Sequence, residues 1–352
     1  MAEIDKILKF MVDEEGSDLH LMCGARPLIR VHGDLRRIDW GLDGGVVLTP
    51  EINRGLIYEM LNEDQIRHFE ATGDLDLAYE LEGVARFRVN VHNQISGPST
   101  VMRTIPTNIA SVDDLGLPEQ LKEIARFSSG LILVTGPTGS GKTTSLAAMM
   151  DQINDEREGH IVTIEDPIEF VHKNKSCLIT QREVGVHTNS FSAALRVALR
   201  QDPDIILVGE MRDLETIGLA LTAAETGSLV FATLHTNSAA KTINRIIDVF
   251  PNEAQNQIRT LLSESLSAVI AQTLLKRSDK KGRIAAMEIM ICTSAIRNAI
   301  RENKIEQIVS IMQTSTRQGM QMLDDHLLRL MEQGVISQES AREKALEKHR
   351  FN

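Results

Sequence analysis

Aromatic residues make up only 3% of this 352-residue chain, with a single tryptophan and two tyrosines among them. So few rings argue against a surface that stacks single-stranded bases. Positive charge is not in excess either. Lys and Arg number 38 against 49 Asp and Glu, a formal charge of −11, so bulk charge does not draw the chain to nucleic acid. Cysteine is scarce: Cys23, Cys177 and Cys292 are an odd number, far apart and without a Cys-x-x-Cys pair. That excludes a disulfide framework and a paired-cysteine zinc site, and leaves three reduced, mostly buried thiols as the expectation. No apolar run approaches the ~20 residues that span a bilayer, and Ala2-Glu3-Ile4-Asp5 leads into an amphipathic stretch, not a signal sequence. A cytoplasmic chain is expected. What is present is ordinary for a globular protein, with 42% hydrophobic and 25% charged residues and a length that suggests about two domains.

The apolar pattern changes character along the chain. Ile4, Ile7, Leu8 and Met11 have helical spacing, and Pro27–Val31 followed by the Gly33-Asp34 turn and Leu35–Ile38 reads as a hairpin. Thr49-Pro50-Glu51 carries a cap and a first-turn proline, predicting a helix that turns Ile52, Leu56, Ile57 and Met60 inward; a second helix starts near Asn62–Gln65. Strand-like runs follow at Leu75–Leu81, Ala85–Asn93 and Ser99–Ile105. Residues 1–107 therefore read as a small α+β domain with a mostly antiparallel sheet, and 108–118 as a linker. From there short, fully apolar strands alternate with helices: Leu131–Thr135, His160–Ile164, Ile205–Val208 and Leu229–Thr233. That pattern predicts a parallel α/β sheet covered on both faces, over 119–293. Residues 294–352 read as helical, with breaks near Asn303 and Gly319.

The strongest chemical signal is Gly136-Pro137-Thr138-Gly139-Ser140-Gly141-Lys142-Thr143, followed by Thr144, between an apolar strand and the helix Ser145–Ile153. Glycines there let backbone N–H groups curl around phosphate oxygens at a helix N-terminus. Lys142 is expected to reach the β and γ phosphates, and the Thr143 hydroxyl to bind Mg²⁺. Two more strands end in acid. Ile205–Val208 delivers Glu210, a carboxylate placed to hold Mg²⁺; Ile161–Ile164 delivers Glu165, a candidate general base, with Asp166 and Glu169 beyond it. His235 closes the strand 229–233 at the same edge and is placed to sense the γ-phosphate. Arg86, Arg88 and Arg103, on a domain with no phosphate loop of its own, suggest charge supplied to a neighbour's nucleotide. Arg196 and Arg200 precede the Glu210 strand on an amphipathic helix.

Taken in order, the loop at 136–143, the acidic box at 161–169, DPDIILVGEMRD at 202–213 and TGSLVFATLHT at 226–236 resemble the secretion ATPase superfamily that powers type IV pili and type II secretion. Ala295–Glu302 resembles the AIRNLIRE motif of its pilus-retraction branch, with Ala299 in place of leucine, and Gly319-Met320-Gln321 with Asp324 resembles the GMQTMDQ segment after it. Ser17–Leu21 and Arg86–Asn90 fit the PAS-like amino-terminal domain of the family. The resemblance implies a RecA-like P-loop NTPase core behind a PAS-like α+β domain, with a helical C-terminal region. It also implies ATP and Mg²⁺ as cofactors, Glu165 as base, and Glu210 supporting magnesium. Arg88 and Arg103 would act from an adjacent subunit of a homohexamer. The implied work is pilus retraction against an inner-membrane platform protein, without nucleic acid, the ring being peripheral to the membrane through that partner. The hinge is expected near 106–118. Ser228 stands where the family's histidine box carries a first histidine, leaving His235 alone of the pair. An accessory ring with weak turnover of its own is therefore the alternative function, and a RecA-like DNA motor a third.

Overall fold

The computed structural model describes residues 2–31, 33–39, 45–105 and 109–351. The chain divides into two units, one running to Ile105 and including Pro167–Val171, the other taking Ile109–Asp166 and the chain from His172 onward. Pro106–Asn108, the start of the expected linker and hinge, lie outside the described residues. From Ile109 on, the stretch read as linker is folded into the second unit. Val112 is buried in its core, and Leu117 N–H donates to the Val112 carbonyl at 3.0 Å.

The first unit contains α1 (Glu3–Asp13), β1 (Gly16–Leu21), β2 (Leu28–Val31), β3 (Asp34–Arg37), α2 (Pro50–Tyr58), α3 (Glu63–Thr72), β4 (Asp74–Leu81), β5 (Ala85–Gln94) and β6 (Gly97–Ile105). Its helices begin where the sequence carries caps. Thr49 Oγ1 accepts the Ile52 N–H ahead of Pro50, and Asn62 and Gln65 form a reciprocal capping box before Gly73 ends α3 at φ +82°. The strands form one antiparallel sheet in the order β3-β2-β1-β6-β5-β4. Alternation sets its faces: Phe87, Val89 and Val91 of β5 are fully buried against Ile4, Ile7, Leu8 and Met11 of α1, while Arg88 and Asn90 turn away.

The second unit runs through α4 (Gln120–Ala125), β7 (Gly130–Thr135), α5 (Lys142–Glu156), β8 (Gly159–Glu165), β9 (Cys177–Glu183), α6 (Phe191–Ala198), β10 (Ile205–Val208), α7 (Leu214–Glu225), β11 (Leu229–Leu234), α8 (Ala239–Asp248), α9 (Asn252–Ser265), β12 (Leu266–Lys276), β13 (Arg283–Ile291), α10 (Ser294–Arg301), α11 (Gln307–Thr314), α12 (Leu323–Glu332) and α13 (Gln338–Lys344). Its seven strands lie in the order β13-β12-β7-β11-β10-β8-β9, all parallel except β13. Successive residues of β7 feed opposite faces: Leu131 and Leu133 join one core cluster, Ile132 and Val134 another. A sheet buried on both sides is what continuous apolar strands require. The expected α/β core and α+β unit are both present. Among the described residues no helix is long and apolar enough to cross a membrane.

The C-terminal helices are not a separate layer. Ile296, Ala299 and Ile300 of α10 and Ile308 and Met312 of α11 join the main core, and the chain breaks at Asn303 (φ +56°) and Gly319 (φ +84°). The residues after Gly319 close the sheet edge at β13. Gln321 pairs with Ile289 through the backbone, its Nε2 donates to the Met287 carbonyl at 2.8 Å, and His326 Nδ1 accepts the Met287 N–H at 3.0 Å. Asp324 accepts the N–H groups of Leu346 and Glu347, tying down the tail.

Burial, with the Arg329 charge alongside, pushes the His326 imidazole down to about 4 from an ordinary 6.5. The unfolded chain binds that proton first, so the stabilisation is complete above about pH 6.5 and is lost as pH falls toward 4. Between pH 7 and pH 5 the second unit should lose about 2 kcal/mol through this group. Urea midpoints at the two pH values should show that loss, and the His326→Gln chain should lack it.

Candidate active site

In a parallel sheet every strand points its carboxyl end at one edge, where ligands of open α/β folds bind. Here β7, β11, β10 and β8 are consecutive neighbours, so that edge carries in turn the 136–143 loop, His235, Glu210 and Glu165.

The loop leaves β7 at Gly136, whose φ of +144° and surroundings admit no side chain: a Cβ would lie 2.3 Å from the Gln272 carbonyl oxygen. Gly139, at φ +77°, faces open space, and Gly141, at φ +87°, caps α5. The first-turn N–H groups of α5 have no carbonyl one turn back, which suits them to hold an anion. Thr143 and Thr144 stand on that first turn. Lys142 folds over the loop, its Nζ donating to the carbonyls of Gly136 at 2.8 Å and Pro137 at 3.2 Å. Thr135 Oγ1 and Ser140 Oγ at the loop are buried hydroxyls with no hydrogen-bond partner among the described residues. Open space at Gly139, backbone donors and the Lys142 ammonium fit a polyphosphate; a threonine hydroxyl and a carboxylate fit the hard-oxygen preference of Mg²⁺.

Glu210 Oε1 lies 2.9 Å from His235 Nε2, and Oε2 accepts Arg212 at 2.6 Å. The Arg212 hydrogen bond holds the Glu210 carboxyl below the usual range despite partial burial. The loops carrying the pair are tied together, since Thr233 Oγ1 donates to the Gly209 carbonyl and Met211 N–H to the Thr233 carbonyl at 3.1 Å. Glu165 is 7% exposed, and its Oε1 accepts Thr163 Oγ1 at 2.6 Å and Gln181 Nε2 at 3.1 Å. Such a carboxylate is fixed in place, as a group that must orient water needs to be.

Arg88 and Arg103 belong to the first unit, where they are direct cross-strand partners on β5 and β6. Arg88 faces Glu169 at 3.7 Å, and Arg103 Nε donates to Asp18 Oδ1 at 2.8 Å. Burial alone would raise the Asp18 carboxyl, but hydrogen bonds from Ser17 and Arg103 outweigh it and hold it low. Arg196 pairs with Glu215 of α7. Ser228 sits before β11, at the opposite edge from His235, and donates to the Pro203 carbonyl at 3.2 Å. The departure at 228 therefore changes nothing among the side chains at the loop edge.

Sequence reasoning missed Gln272. This residue of β12 is 4% exposed, donates Nε2 to the Ser140 carbonyl at 2.7 Å and accepts Ser145 Oγ at 2.9 Å, while its backbone crowds Gly136. It braces the loop from the adjacent strand. No local motif signals it, because its partners lie 132 and 127 residues away.

Loop, acid pair, histidine and sheet order define a P-loop ATPase fold of the secretion type. Residues 67–343 match the family described as Type II/IV secretion system protein, and the chain belongs to that family. It is 55% identical over 346 residues to the type IV pilus retraction ATPase PilT of Pseudomonas aeruginosa, covering 97% of this chain and 98% of that one. It is 53% identical over 323 residues to a twitching motility protein of Neisseria gonorrhoeae, covering 91% and 84%. Among solved structures it is similar to the pilus retraction motor PilT with bound ADP, at TM-score 0.91 and 43% identity over 99% of this chain and 98% of that one. The resemblance carried by the four motifs is borne out.

Proposed function

We propose that this chain is an ATP-hydrolysing motor that drives type IV pilus retraction. One observation carries the reading: the complete set of loop, Glu165, Glu210 and His235 shares one sheet edge in a chain 55% identical to a pilus retraction ATPase along nearly its full length.

In this reading Lys142 exchanges the Gly136 and Pro137 carbonyls for β- and γ-phosphate oxygens, and the α5 N-terminus cradles them. Bound Mg²⁺, held by Thr143 and Glu210, would neutralise phosphate charge. Glu165 orients the attacking water and takes its proton, and His235 reads the state of Glu210 and passes it to α8. The working form is a homohexamer in which Arg88 and Arg103 of an adjacent subunit complete the site, leaving Glu169 and Asp18 to do so. The ring works at the cytoplasmic face of the inner membrane on the pilus platform protein.

Deleting the gene from its host should leave surface pili assembled and twitching abolished, and a Lys142→Ala allele should not restore movement. Loss of surface pili instead would make the chain an assembly ATPase.

A further inference from the structure

A second polar cavity lies within the second unit, and none of its lining residues belongs to the loop edge. About 210 Å³ in volume, it is bounded by residues 116–118 and Gln120 on one side and by Gln321, His326, Arg329 and Gln333 on the other. That is room for several waters and lies below the range of drug-sized pockets, about 300 Å³ upward.

Its chemistry has one sign. His326 Nδ1 accepts the Met287 backbone N–H, which can only donate, so the neutral ring carries its proton on Nε2. The residue is 6% exposed, and its Nε2 has no hydrogen-bond partner among the described residues. The Gln321 amide is spent on Met287, His326 and Arg329, which fixes the floor. Arg329 is exposed, with one guanidinium nitrogen on Gln321 and no other side-chain hydrogen bond among the described residues. No acidic residue lines the cavity. Two carboxylates of α12 are engaged elsewhere, Asp324 by the Leu346 and Glu347 N–H groups and Asp325 by Arg350.

An unpartnered N–H donor on a buried ring and a guanidinium, both lining a cavity with no acidic residue in its wall, make an acceptor-seeking site. We propose that this cavity binds a small anionic ligand through one carboxylate or phosphate group, which spans from His326 Nε2–H to Arg329. Such a ligand would join the 116–120 segment, at the start of the second unit, to α12. It would act as a regulator distinct from the nucleotide.

The test is calorimetric titration of the full chain, saturated with ADP so that the loop is filled, with malonate and separately with inorganic phosphate. One saturable site per subunit is expected. It should weaken about tenfold or more in Arg329→Gln, which loses the charge-assisted bond, and in Gln333→Glu, which sets a carboxylate at the exposed rim. Gln333 makes no hydrogen bond through its side chain among the described residues, so that variant folds even where Arg329→Gln does not. Malonate alone binding assigns a carboxylate ligand, and phosphate alone a phosphorylated one. Binding of neither, or binding unchanged in Gln333→Glu, overturns the proposal.

Discussion

Replacing Glu165 by glutamine should lower ATP turnover by about 10²- to 10⁴-fold while nucleotide still binds. The substitution is nearly isosteric, and an Oε1 acceptor remains for Thr163 and Gln181, donors that help hold the side chain. Loop geometry depends on other contacts, chiefly Gln272 and the glycine conformations, so affinity for ADP should stay within a few-fold of the parent. What disappears is the basic oxygen needed to polarise water. Steady-state turnover beside fluorescent-nucleotide binding separates the two effects. A variant with near-normal turnover would move the base elsewhere, and Glu210 is poorly suited because its Arg212 hydrogen bond lowers its basicity.

The second large effect is expected without any loss of chemistry. On α10, Ile296, Ala299 and Ile300 are buried, whereas Ala295, Asn298 and Arg301 are exposed. The exposed set repeats at three-residue spacing and so lies on one helix face. Ala295→Glu or Arg301→Ala should leave ATP turnover within about twofold, as surface substitutions do, and abolish pilus retraction. Arg297 of the same motif behaves differently. It donates to the carbonyls of Ser263 at 2.7 Å and Glu264 at 2.6 Å, satisfying the end of α9. Arg297→Ala should therefore destabilise the second unit, by about 2 kcal/mol. Loss of turnover and retraction together in Ala295→Glu would remove α10 as a surface that transmits work.

Much of this was legible in the sequence for a physical reason. β7, β8, β10 and β11 are buried on both faces over most of their length, so their residues are mainly apolar, and each ends where a functional group begins. Strand β9 escaped notice because it lies at the sheet edge, where Thr180, Gln181 and Arg182 are tolerated. Strand β12 escaped because its run is broken by Gln272, a polar residue buried for the sake of the loop. The arginines show the same limit. Arg88 and Arg103 were visible as a cationic cluster, but Asp18, which engages Arg103, is 85 residues away in sequence. Ser228 was visible as a departure from a motif. That it lies a full strand away from His235 follows only from the direction of β11.

The central claim is that the edge carrying Lys142, Glu165, Glu210 and His235 hydrolyses ATP, with help from a neighbouring subunit. Mg²⁺-dependent ATP turnover per subunit, followed as protein concentration is raised and with Lys142→Ala alongside, tests it most directly. Specific activity should climb as rings assemble, and the variant should show none. No turnover at any concentration, with ATP still bound, would contradict it.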